Sequence, residues 1–271
     1  MSALTIGVFD SGMGGLTAME ALTEKLPGAN LIYFGDTGHM PYGGRSSAQL
    51  HYMARRNVTF LEARGAQLIL AACGTVTSVA LADVAKETAT PLFGVASPAV
   101  ERAAGLTKNK KIGFIATEAC VRSGFNQALL ENGIPGAEIH AVACPRLVPL
   151  IEAGISRGDD PALAAALAEY LTGIRDTGCD TVILGCTHYP IIAKAISDFL
   201  GPDTVLVSSS YEAAAALVRA LPDRPAPGCG QRTYFTSGDP AAFARTAEKL
   251  LGRPLAGEII AVEPWPVEDT P

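Results

Sequence analysis

Short β-rich runs alternate with helical stretches along this chain. Thr5–Phe9 (TIGVF) predicts a first strand, and a glycine loop follows, Asp10-Ser11-Gly12-Met13-Gly14-Gly15. Leu16–Lys25 then has helical spacing. Leu31–Phe34 predicts a second strand, leading into a loop rich in Gly and Pro over residues 35–45. Ser46 or Ser47 can cap a helix that runs to about Arg64, where Gly65 stops it. Leu68–Ala71 is a short buried strand ending at Cys73-Gly74-Thr75 and another helix. Leu92–Val95 is a fourth strand, and Ser97-Pro98 reads as a break.

The pattern then restarts. Lys111–Ile115 is a strand, Arg122–Glu131 a helix ended by Gly133, and Ile139–Val142 a strand before Cys144-Pro145. A short helix leads to Glu152 and stops at Gly154, and Asp160-Pro161 opens a long alanine-rich helix. Thr181–Leu184 is a buried strand followed by Cys186-Thr187-His188-Tyr189-Pro190 and a helix. Beyond it come a strand near Val205, a helix from about Ser210, a strand at Thr233–Phe235, a helix opened by Asp239-Pro240 and a last strand at Ile259–Val262. The tail from Glu263 to Pro271 reads as loose. Such alternation predicts an α/β protein with parallel sheets covered on both faces. The restart predicts two pseudo-symmetric, doubly wound units, each with a strand that ends on a cysteine (LILAACGT and VILGCTHY).

With 271 residues, 48% of them hydrophobic, the chain is long enough for two cores. No apolar stretch is long enough to span a bilayer, and the first ten residues lack the pattern of a signal peptide. A soluble, cytoplasmic protein is expected. The charge is −6, and Lys108, Lys110 and Lys111 are the nearest thing to a basic run, which argues against nucleic acid. The cysteines at 73, 120, 144, 179, 186 and 229 include no CxxC pair. A zinc site or a dithiol redox centre is therefore not expected. Neither GxGxxG nor GxxxxGK[ST] is present.

In open α/β sheets, ligands sit beyond the carboxyl ends of the strands. That rule gathers Asp10-Ser11, Asp36, Pro41-Tyr42-Gly43, Cys73 through Thr75, Thr117, and Cys186 through His188. A lone cysteine most often packs as a small hydrophobe. Two at matching positions in related units suggest paired chemistry instead. A thiol at a helix N-terminus gains thiolate character from the free N–H groups, relative to a free pKa of about 8.5. One base on each face of a cleft is what racemisation requires. Cys120, Cys144, Cys179 and Cys229 are assigned to packing. Asp10 can either cap a turn or orient a nearby thiol. The glycine loop offers N–H groups that suit a carboxylate, and Ser11, Thr75, Thr117 and Thr187 add hydroxyls.

These residues resemble the aspartate/glutamate racemase superfamily, and within it the glutamate racemases. The similarity lies in IGVFDSG with Gly14-Gly15-Leu16, YFGD through Pro41-Tyr42-Gly43, Ala72-Cys73-Gly74-Thr75, Val148-Pro149 through Glu152, and LGCTHYP. It implies two α/β domains facing each other across a cleft, residues 1–97 with 208–271 and residues 98–207. It implies no pyridoxal phosphate and no metal, and Cys73 and Cys186 as acid/base residues. Asp10 would assist Cys73, while Glu152 and His188 would assist Cys186. Asp10, Ser11, Tyr42, Gly43, Gly74, Thr75, Thr117, Thr187 and His188 would contact a small amino-acid substrate, and a homodimer is compatible with this picture. Two positions depart from the family pattern. Gly74 stands where Asn is usual, and Ser97-Pro98 where Glu-Pro is common. A racemase for aspartate or another amino acid, or a non-catalytic amino-acid-binding protein, therefore stays open beside glutamate racemase.

Overall fold

The computed structural model describes residues 4–266 apart from 224, 226 and 227. Residues 267–271 of the tail expected to be loose lie outside the described residues. Ten strands form two sheets. They are β1 Thr5–Asp10, β2 Asn30–Gly35, β3 Leu68–Ala71, β4 Leu92–Gly94, β5 Lys111–Ala116, β6 Glu138–Ala143, β7 Thr181–Leu184, β8 Val205–Ser208, β9 Arg232–Thr236 and β10 Glu258–Ala261. The first sheet runs β10-β9-β2-β1-β3-β4 and the second β6-β5-β7-β8. Every pairing is parallel.

The order β2-β1-β3-β4 recurs as β6-β5-β7-β8. β3 is therefore the counterpart of β7, and Cys73 and Cys186 follow equivalent strands. The expected two-unit α/β architecture is the observed one. The opening strand of each unit, β1 or β5, lies between two neighbours and is almost wholly buried. Parallel strands buried on both faces need apolar side chains in succession, which is what TIGVF and KIGFI supply. β9 and β10 extend the first sheet alongside β2.

Several boundaries differ from expectation. Ser97-Pro98 is not a break but the first turn of a helix, Ala96–Leu106. Proline is tolerated there because the first N–H groups of a helix have no intrahelical partner. The single helix expected over 122–131 is two, Glu118–Arg122 and Phe125–Gly133. Gly124 between them has φ +69°, a left-handed conformation that interrupts the helix and that glycine adopts without strain. Beyond β7, a 3-10 segment (Tyr189–Ile192) precedes the α-helix Ala193–Leu200. Elsewhere the caps act as the sequence suggests. Ser46 and Gln49 form a reciprocal capping box, and Asp160 accepts from the N–H groups of Ala162 and Leu163.

The C-terminal segment returns to the first sheet. Trp265 is buried against Phe34 and Phe60, and its carbonyl accepts from His39 Nε2 at 2.8 Å. His39 Nδ1 reaches Asp36 Oδ1 at 2.7 Å. Asp36, fully buried, also accepts from Tyr42 Oη at 2.5 Å and Ser237 Oγ at 2.6 Å. Asp36, gathered by the strand-end rule, is thus a structural hub rather than a cleft residue.

Candidate active site

A cleft of about 570 Å³ opens where the strand ends of the two sheets meet. Asp10, Ser11, Tyr42, Gly43, Cys73, Gly74 and Thr75 line it from the first unit, and Thr117, Glu152, Cys186, Thr187 and His188 from the second. Of the residues gathered from the sequence, Asp36 alone is missing from its wall. Glu118, Cys144, Pro145, Val148 and Pro149 also line it and were not expected. Glu118 directly follows Thr117 at the end of β5, so the strand-end rule could have reached it. Cys144 follows β6, and its assignment to packing holds in part: it is fully buried, yet it borders the cleft. Cys120 and Cys179 are packed inside, whereas Cys229 is exposed, contrary to the packing assignment.

Hydrogen bonds draw the two units together around the cleft. Thr75 Oγ1 and Thr117 Oγ1 are 3.1 Å apart, and Thr17 Oγ1 donates to the Thr187 carbonyl at 3.1 Å. Asn126 Nδ2 donates to Ser78 Oγ at 2.8 Å. Tyr189, pinned by a bond from its hydroxyl to the Cys144 carbonyl (3.2 Å), fixes the turn that carries His188.

His188 Nε2 lies 3.0 Å from Glu152 Oε1, and Nδ1 lies 3.8 Å from Cys186 Sγ. Chain spacing could not place Glu152 here. The helix Leu147–Glu152 does so, ending beside the turn after β7. Burial alone would lower the His188 pKa. Hydrogen bonds to Cys186 and Glu152, together with negative charge on Cys186 and Asp10, outweigh it and raise His188 to about 10. The surroundings thus favour the protonated form of the imidazole beside the Cys186 sulfur.

Cys73 differs from expectation. It sits at the N-cap of a six-residue helix, Gly74–Val79. Burial nevertheless pushes its thiol up to about 12, and the Asp10 carboxylate pushes the same way, against hydrogen bonds from Val76 and Ser11. Desolvation exceeds what one helix end supplies. Nor does an α-helix begin at Cys186, because Cys186 to His188 form a turn ahead of the 3-10 segment. The positive charge beside that sulfur comes from His188, not from a helix dipole.

The glycine loop also acts differently from the expectation. The N–H groups of Gly12 and Gly15 donate to Asp10 Oδ2 at 3.2 and 3.1 Å, so the Asp10 carboxylate takes them rather than a ligand. Burial raises the Asp10 pKa, opposed by the His188 charge and these backbone bonds. Its Oδ1 is buried with no hydrogen-bond partner among the described residues. Tyr42 lines the wall, but its hydroxyl donates to Asp36, leaving its ring and backbone for the cleft. Among the lining residues there is no Arg or Lys, so His188 is the one basic side chain. No group of three His, Cys, Asp or Glu among the described residues is arranged to hold a metal ion. No helix among them is long and apolar enough to cross a membrane.

Comparison with known proteins places the arrangement among relatives. The family of Asp/Glu/hydantoin racemases matches residues 18–219. Glutamate racemase of Corynebacterium diphtheriae is 40% identical over 256 residues, covering 93% of this chain and 96% of that protein. The solved glutamate racemase of Bacillus anthracis superposes with a TM-score of 0.88 at 31% identity, over 96% of this chain and 97% of its own. That of Francisella tularensis, solved with D-glutamate, gives 0.87 at 30% identity, over 97% and 98%.

Proposed function

The chain belongs to the Asp/Glu/hydantoin racemase family, and from that premise we propose that it interconverts L- and D-glutamate, without pyridoxal phosphate, using Cys73 and Cys186 as its two bases. One observation carries the reading: two cysteines at equivalent strand ends of two pseudo-symmetric sheets line a single cleft. The domains in this reading are residues 1–97 with 208–271, and residues 98–207. The protein acts in the cytoplasm and supplies D-glutamate for peptidoglycan.

In one direction the Cys186 thiolate takes the α-proton. The Cα–H bond breaks, an S–H bond forms, and the electron pair delocalises into the carboxylate. The Cys73 thiol then protonates Cα from the opposite face and is left as a thiolate. The reverse direction exchanges the roles. The free protein suits the first arrangement, with Cys73 held protonated by burial and Cys186 beside the His188 imidazolium. Glu152 orients His188 through the bond at its far nitrogen. The Asp10 carboxylate makes the Cys73 sulfur more basic, which serves it when it must act as the base. Ser11, Thr75, Thr117 and Thr187 present hydroxyls to the substrate carboxylates, with backbone at Tyr42 and Gly43. A thiolate is a weak base for an α-proton, so these donors must stabilise the carbanion-like transition state in a cleft that excludes water.

The Gly74 position favours one alternative, a different amino acid as substrate, because it withdraws a side chain from the pocket wall. Incubation of the purified protein with L-glutamate and, separately, L-aspartate, without added cofactor, followed by chiral chromatography, decides between them. D-glutamate formation is expected. Formation of D-aspartate alone would transfer the mechanism to the other substrate, and absence of both products from folded protein would reject both substrates and with them the proposed reaction.

A further inference from the structure

Gly74 lies at the seam between the two units. It is the first residue of the helix Gly74–Val79, immediately after Cys73. A Cβ built on it would lie 2.4 Å from the carbonyl oxygen of Gly185, the residue before Cys186. The two cysteine-bearing loops thus touch backbone to backbone. Gly185 is itself closely packed and hydrogen-bonded. A Cβ there would lie 2.4 Å from the Phe114 ring, and its N–H donates to the Ile115 carbonyl at 2.8 Å. Gly74 is not among the glycines with positive φ. Its backbone conformation is open to any residue, so a side chain here would be opposed in this chain by contact, not by conformation.

We propose that Gly74 is a positioning residue: the missing side chain lets the loops carrying Cys73 and Cys186 close on each other, and so sets the spacing of the two bases. The kinetic part rests on the racemase reading above. The geometric part does not. Any Cβ at this position must move from 2.4 Å to at least 3.0 Å from the Gly185 oxygen. The neighbours that would have to yield are backbone. The Thr75–Thr117 and Ser78–Asn126 bonds flank the contact, so displacement opens the seam rather than one side chain. Ordinary helix propensity predicts the reverse for Gly→Ala, a gain in stability with no change at the site.

The test compares wild type, Gly74→Ala and Gly74→Ser in the full chain, with Gly105→Ala as control. Gly105 is in the helix Ala96–Leu106, and a Cβ there meets open space. Two quantities are read: kcat and KM with L-glutamate, and amide hydrogen exchange over residues 72–76 and 184–188. A 1 Å misplacement in a reacting pair costs about a hundredfold. The opening forced here therefore predicts a kcat loss on the order of tenfold at Gly74, with a smaller change in KM. Exchange in both segments rises, while the control keeps wild-type values. Wild-type kcat and exchange in folded Gly74→Ala protein overturns the proposal. So does a loss of kcat with unchanged exchange, since the loops would not have parted. A variant that unfolds also counts against it, because the seam should open before the fold fails. If wild type does not turn over glutamate, the functional reading fails by itself and the exchange data still judge Gly74.

Discussion

Replacing His188 with Asn tests the electrostatic account most sharply. His188 is buried and held between Glu152 and Cys186, with its pKa raised from 6.5 to about 10. A raised folded-state pKa means that the folded protein binds a proton that the unfolded chain releases. The resulting stability is fully present below about pH 6.5 and is lost as pH rises through about 10. Across that window the slope approaches about 1.4 kcal/mol per pH unit, for a total near 5 kcal/mol as a ceiling. His188→Asn also loses packing, but that loss does not depend on pH. Urea unfolding of both proteins under reducing conditions, from about pH 6 to about pH 10.5, isolates the titrating part. The gap between wild type and variant should narrow by several kcal/mol as pH rises. A gap of constant size would show His188 to be neutral in the folded state, and the imidazolium beside Cys186 would have to be abandoned.

Three further outcomes are expected. Asp10→Asn keeps an acceptor for the Gly12 and Gly15 N–H groups and removes a buried carboxylate whose ionisation burial opposes. Its melting temperature should not fall, while kcat drops on the order of a hundredfold and Cys73 becomes alkylated at lower pH; unchanged alkylation would exclude Asp10 from setting Cys73 basicity. Trp265→Ala removes an indole packed against Phe34, Phe60 and His39, and should cost about 3 kcal/mol in chemical denaturation; an unchanged midpoint would show that the tail does not anchor the first sheet. Cys144→Ala should retain turnover with L-glutamate in a racemisation assay, because the Cys144 thiol is not part of the proposed pair; loss of turnover in a folded variant would give Cys144 a role at the cleft wall.

The strands were legible because parallel strands buried on both faces need consecutive apolar residues, and the two cysteines stood out because each follows such a run. Helix boundaries were less legible where local signals conflict. Ser97-Pro98 resembles a stop, yet proline costs nothing in a first turn. Gly124 divides a helix that periodicity alone reads as one. The neighbours of each candidate residue lay beyond reach. Nothing in the spacing of residues 152 and 188 shows that an ion pair joins them, and nothing in DSGMGG shows that Asp10 takes two of its amides. Thiol ionisation is illegible for the same reason. The helix end at Cys73 can be read from sequence, but the burial that overrides it is a property of the assembled cleft. Gly74 is the clearest case: in the sequence it is a missing side chain, and in the fold it is the contact between the two units.

The central claim is that racemisation needs both thiols. The measurement is proton NMR in D₂O of wild type, Cys73→Ala and Cys186→Ala with L-glutamate and then D-glutamate, without cofactor, alongside chiral analysis. Wild type should lose the α-proton signal and form the opposite enantiomer from either substrate. Each alanine variant, folded by circular dichroism, should form none. Wild-type racemisation by either variant would contradict the two-base assignment.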